Sequence, residues 1–253
     1  MVMVLNYNDA CLYDSDMALI QNPRGWLNSS CIHFQLMRLQ SSFDANRIHF
    51  MDPSALSFFI QYCKDSDDIA DFCNGLELKS KTAIVLPINS AFAPGIDCAA
   101  GGGNHWSLLV IIQIMEGNKN VRHAFHLDSA QGMNTTAAYN VAKRFHGALL
   151  EQHHSVEGYA TYETLVTECR IPQQNNGYDC GVFTLVAADL SAQAICDHLI
   201  NYNDIRVEDD WIRMWKKLIE NSIERVTNVS DCATRKRKQI VDDIVMLASI
   251  KES

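Results

Sequence analysis

The chain contains no C-x-x-C pair, and the adjacent histidines His153 and His154 have no partner at metal-ligand spacing, so no zinc or dithiol site is expected. Its nine cysteines are odd in number and follow no charged-then-apolar leader, which argues against a disulfide framework and for a reducing compartment. No segment offers some eighteen uninterrupted apolar residues, as a membrane-spanning helix would. Positive charge is in short supply. Against 30 Asp and Glu stand 21 Lys and Arg, a net charge of −9 that opposes nucleic acid as the main partner. Repeats and low-complexity segments are missing too. These absences predict a soluble intracellular protein of the cytoplasm or nucleus, with no metal or other cofactor, no membrane and no nucleic acid.

What is present suits one large globular domain, or a domain with an appendage: 253 residues, 47% hydrophobic and 20% charged. Helices are expected at Cys31 to Leu39, after the polar Asn28-Ser29-Ser30, at Pro53 to Cys63, where proline takes the first position, and at Asp67 to Cys73. Thr82 to Asn89 and Trp106 to Met115 are β-branched apolar runs of the kind buried strands show, with Arg122 to Leu127 a weaker third. Between the first two strands lies a long Gly- and Ala-rich loop, Ser90 to Asn104, of a length that is usually functional or disordered. A last amphipathic helix is expected at Ile240 to Ile250. The basic cluster Arg235 to Lys238 reads as a solvated helix face rather than a nuclear address.

The most informative stretch is QQNNGYDCGVF, residues 173 to 183, where polar turn formers give way to a thiol and then to an apolar helix over Val182 to Ile200. Cys180 falls in that helix's first turn, where unpaired N–H groups and the dipole favour an anion. The other eight cysteines sit in mixed apolar stretches and read as inert small hydrophobes. His105 stands at the mouth of a strand directly after a glycine hinge, and Asp128, in FHLDSAQGMN, follows another strand. If neighbouring strands present both at one edge, Asp128 fixes the imidazole tautomer and the other ring nitrogen holds the Cys180 proton. An oxyanion donor then comes from Gln174, with Gln173 the competing choice, and from the Cys180 backbone N–H. Asn175, Asn176 and Gly177 let the backbone fold back, and Asp179 is placed to cap the helix.

In GGGNHWSLLV, FHLDS and PQQNNGYDCGVF the sequence resembles the Ulp/sentrin-protease family of cysteine peptidases, which remove ubiquitin-like modifiers. NPRGWLN, residues 22 to 28, is similar to the family's early Trp-Leu-Asn signature, and SALSFFIQYCKDSDDIADFCNGLELKSKTAIVLPIN favours its Nedd8-specific, deneddylase branch. The resemblance implies a papain-like α+β fold with a central mixed sheet flanked by helices. It implies a triad of His105, Asp128 and Cys180 with Gln174 at the oxyanion, and assigns Trp26, Trp106, Asn28 and Ser29 to the modifier's Gly-Gly tail. Ser29 departs from the aspartate common in the family, removing a charge where a basic tail would meet it. A monomeric peptidase domain over 1–220 is expected, with a helical extension over 221–253. The expected reaction is isopeptide cleavage and precursor processing on Nedd8. SUMO or ubiquitin as substrate, an inactive tail binder and a same-triad acetyltransferase are the competing readings.

Overall fold

The computed structural model describes residues 1–96, 103–116, 119–149, 165–201, 211–224, 226 and 229–251. An antiparallel hairpin, β1 (Met3–Tyr7) and β2 (Ala10–Tyr13), leads into α1 (Asp14–Gln21) and α2 (Ser29–Gln40). Then come β3 (Ile48–Phe50), α3 (Pro53–Tyr62), α4 (Ser66–Gly75), β4 (Ala83–Asn89), β5 (Trp106–Glu116), β6 (Lys119–Leu127) and α5 (Thr135–Leu149). After β7 (Val166–Cys169), the chain ends in α6 (Cys180–Asn201), α7 (Trp211–Glu224) and α8 (Val229–Lys251).

The main sheet has the order β3-β4-β5-β6-β7, with parallel pairs at its two ends and antiparallel pairs between. It is therefore mixed, within an α+β fold. Helices cover both faces, which is why β4 and β5 read as continuous apolar runs instead of alternating ones. Alternation survives as a choice between two cores. Ala83 and Val85 of β4, with Leu108 and Val110 of β5, face the layer holding α2, α6 and α7. Ile84, Leu86 and Leu109 face the layer holding α3, α4 and α5.

Helix starts follow local chemistry. Asn28 Oδ1 accepts the Cys31 N–H at 3.0 Å and caps α2; Asp52 caps α3 ahead of Pro53, and Asp65 caps α4. α6 is apolar and long enough to cross a membrane, yet most of it is enclosed by the other elements. It is the central core helix.

Several elements were not expected, among them α1, α7 and the β1–β2 hairpin, and three further features differ from expectation. α5 is unheralded, because alanines carry much of its buried stripe: Ala137, Ala138 and Ala142 with Val141 and Phe145. The last helix begins at Val229, eleven residues before the apolar pattern shows it. Within the basic cluster, Lys236 and Arg237 are each only 6% exposed, so that face is not solvated: Lys236 pairs with Asp189 at 3.3 Å, and Arg237 points inward. Cys98, His153, His154 and residues 97–102 of the glycine-rich loop lie outside the described residues.

Candidate active site

Antiparallel pairing of β5 and β6 sets Leu108 opposite Leu127, so the start of one strand and the end of the other share an edge of the sheet. His105 and Asp128 leave the sheet there together, and His105 Nε2 lies 2.6 Å from Asp128 Oδ1. Asp128 also accepts the backbone N–H of Ala130 at 2.9 Å and of Asn134 at 3.1 Å. Burial disfavours its charge, but these donors outweigh burial and hold its carboxyl below the usual range. Its grip fixes the imidazole with Nε2–H toward the carboxylate, leaving Nδ1 for a second partner.

That partner is Cys180. Burial alone would lower the His105 pKa, but hydrogen bonding to Asp128 and Cys180, together with their negative charge, raises it to about 9. An imidazolium is thus the favoured form at neutral pH. Cys180 opens α6, where N–H groups await an anion, as the sequence predicts. Desolvation pushes the thiol of Cys31 up to about 12 and of Cys73 to about 11, and raises that of Cys169 as well.

Cys180 lies on the wall of a cleft of about 360 Å³, also lined by Trp26, Asn28, Ser29, Asn89 and Trp106. Trp26 is half exposed, whereas Trp106 is buried and its Nε1–H donates to the Leu27 carbonyl at 2.9 Å. Asn28 is held at both ends, capping α2 and donating to Asp16 Oδ1 at 2.7 Å. Ser29 sits exposed in the first turn of α2. Gly181 is packed so closely that a Cβ there would lie 3.0 Å from Leu27 Cβ. The residue after the thiol must stay small.

The two glutamines separate on their protons. Gln173 Nε2 donates to the carbonyls of Asp128 and Ile171, both at 3.0 Å, so both its N–H bonds are committed. Gln174 Nε2 donates to the Asn176 carbonyl at 2.6 Å, and its second N–H has no partner among the described residues. Asn176 Oδ1 accepts from Tyr178 N and Asp179 N, both at 3.0 Å, so the loop folds back through a side-chain turn. Asp179 is not the side-chain cap it was expected to be. Its carboxylate faces Arg237 of α8 at 2.8 Å and Asn176 Nδ2 at 2.9 Å.

The model of the Ulp1 protease family's C-terminal catalytic domain matches residues 25–229. The chain belongs to this family. It is accordingly a cysteine protease of the Ulp1 type. Among curated relatives it is 34% identical over 195 residues to NEDD8-specific protease 1 of Arabidopsis thaliana, covering 77% of this chain and 75% of that one. It is 31% identical to sentrin-specific protease 8 of Homo sapiens, covering 78% and 82%. A crystal structure of a de-sumoylating protease shares the fold at a TM-score of 0.64 and 16% identity, over 98% of this chain and 91% of the other. The Ulp1 protease domain in complex with Smt3, the yeast ortholog of SUMO, gives 0.53 at 16%, over 90% and 89%.

Two features of this Ulp1-family site carry no signal in the sequence. Asn134, fully buried, donates through Nδ2 to the carbonyls of Ile88 and His105 and to Ser107 Oγ, tying the ends of β4 and β5 to the Asp128 loop. Beside it, Ser107 Oγ meets His126 Nε2 at 2.9 Å, and His126 Nδ1 meets Glu168 at 2.8 Å, a line across β5, β6 and β7. Nothing in their spacing marks these residues, because only strand pairing brings them together.

Proposed function

We propose that the protein is a deneddylase, cleaving the bond after the Gly-Gly tail of Nedd8 in conjugates and in the Nedd8 precursor. One observation carries the chemistry: the 2.6 Å His105–Asp128 pair stands where Cys180 meets a cleft walled by two tryptophans. The choice of modifier rests on similarity to NEDD8-specific protease 1.

In this mechanism Asp128 holds the imidazolium of His105, and the Cys180 thiolate attacks the carbonyl of the last tail glycine. The resulting oxyanion takes hydrogen bonds from the Cys180 N–H and the unspent N–H of Gln174. His105 gives its proton to the leaving amine, the C–N bond breaks, and a thioester joins the tail to Cys180. Water attacks that thioester while His105 takes one of the water's protons; the C–S bond breaks, the thiolate is restored beside the imidazolium, and the tail leaves as a carboxylic acid that gives its remaining proton to solvent. Trp26 and Trp106 flank an extended backbone in the cleft, and glycine suits the close passage between them.

Incubation with a panel of tail-activated Nedd8, SUMO and ubiquitin probes tests this reading. The expected result is attachment of the Nedd8 probe to Cys180 at the highest rate. A faster SUMO or ubiquitin adduct would assign the protease to that modifier, and no adduct with any of the three would overturn the proposal.

A further inference from the structure

Helix α8 begins where the family match ends, at residue 229, yet one of its side chains reaches the active-site loops. Arg237 Nη2 donates to the Gly25 carbonyl at 2.7 Å and to Asp179 Oδ1 at 2.8 Å. Its Nε donates to the same carboxylate oxygen at 3.3 Å, and Nη1 to the Leu19 carbonyl at 3.3 Å. One guanidinium thus joins the end of α1, the residue before Trp26 and the residue before Cys180. Beyond Asp179 the path continues through Asn176 to the Gln174 amide.

Both side chains of the pair are only 7% exposed. A buried ion pair is weak evidence for stability, since apolar residues of similar volume often serve as well or better. What a fork of five donors provides is fixed geometry, and here the acceptors belong to three separate segments. The close contact of Gly25 with the Leu19 carbonyl, which an added Cβ would meet at 2.1 Å, brings two of those segments within reach of one side chain.

We propose that Arg237 is a positioning residue of the protease: it locks the Asp179–Cys180 turn to the Gly25–Trp26 turn, so that α8 is a working part of the active site. It also neutralises a carboxylate adjacent to the nucleophile, which would otherwise repel the thiolate. The turnover assay rests on the function proposed above; the alkylation assay does not.

The test compares full-length wild type, Arg237→Ala, Arg237→Lys and Lys236→Ala. Three readings are taken: kcat and KM on a Nedd8-tail fluorophore, iodoacetamide alkylation of Cys180 followed by peptide mass mapping, and thermal melting. Arg237→Ala should lose about 10- to 100-fold in kcat, the scale of a misplacement near 1 Å, with a smaller change in KM and slower alkylation of Cys180. Arg237→Lys should recover part of both, because the ammonium still faces Asp179 but cannot hold both carbonyls. Lys236→Ala, on the same helix as Arg237, breaks the pair with Asp189 of α6 and should lower the melting temperature and leave kcat unchanged. Wild-type kcat and alkylation in Arg237→Ala would overturn the proposal, as would an equal kcat loss in Lys236→Ala. If Arg237→Ala does not fold, wild-type behaviour of Arg237→Lys overturns it instead. Slower alkylation in the Arg237 variants of a protein that processes no modifier tail would refute the proposed function and leave Arg237 in its role.

Discussion

Cys180 is set apart from the other thiols by its surroundings, with a cleft on one side, a protonated imidazole on the other and a helix start beneath. Cys180→Ala should abolish turnover while leaving modifier binding largely intact, since a methyl fits the same place; cleavage and binding measured side by side check this. The glutamines give a sharper contrast. Gln174→Ala should slow kcat by about 10²-fold or more, the usual scale for one lost oxyanion donor. Gln173→Ala should act chiefly on the melting temperature, because its amide closes the Asp128 loop. The reverse ranking would move the oxyanion role to Gln173. His105, Asp128 and Cys180 were legible as separate residues, each at the join of an element and a loop. Asn134 was not: an asparagine in a turn looks like any other until strands deliver three acceptors to its amide.

Elements decide where those residues meet. The β5–β6 hairpin aligns His105 with Asp128, and α6 presents Cys180 to both. The three central strands were legible because the sheet is covered on both faces, which leaves long apolar runs; the starts of α2 and α3 were legible through the Asn28 cap and the leading Pro53. α7 buries Trp211, Trp215, Ile219 and Ile223 at steps of four, a helix not among those expected, and the alanine stripe of α5 is fainter still. The turn between α1 and α2 is the most demanding joint. Gly25→Ala must move backbone to clear the Leu19 carbonyl, and that movement displaces Trp26 from the cleft wall. The expected outcome is a folded enzyme with a lower melting temperature and a KM raised several-fold, read by Michaelis–Menten kinetics on a tail fluorophore. Unaltered KM and melting temperature would show that the turn has room to spare.

At the scale of the whole molecule, charge ties folding to pH. The folded state raises the His105 pKa from its ordinary 6.5 to about 9, so its charged contacts stabilise the fold fully below pH 6.5 and are lost as pH rises through about 9. Asp128 has the opposite sign: its contribution is present above its ordinary 3.8 and is lost as pH falls through its lowered folded value. Melting curves of wild type and His105→Gln should therefore lie furthest apart near pH 6 and converge above pH 9. A constant gap across that range would mean that the imidazole carries no charge in the folded protein. The role of the last helix was beyond the reach of sequence, because a short run of Arg and Lys looks like solvent-facing charge. Which of its members turns inward is set by how α8 packs against α1.

The line Ser107–His126–Glu168 joins the same kinds of atoms as a hydrolase's serine, histidine and acid, at 2.9 and 2.8 Å. A geometric search for such trios would flag it. His126 has no exposed surface and Ser107 only 1%, so a carbonyl carbon has no route to the hydroxyl. With Ser107 and His126 sealed in this way, the trio is masonry: it bonds three strands at the level where β5 and β6 open toward the cleft. A fluorophosphonate reagent should pass over Ser107 in the folded protein while iodoacetamide finds Cys180. What separates His105 from His126 is that its partner, the Cys180 thiol, opens on a cleft.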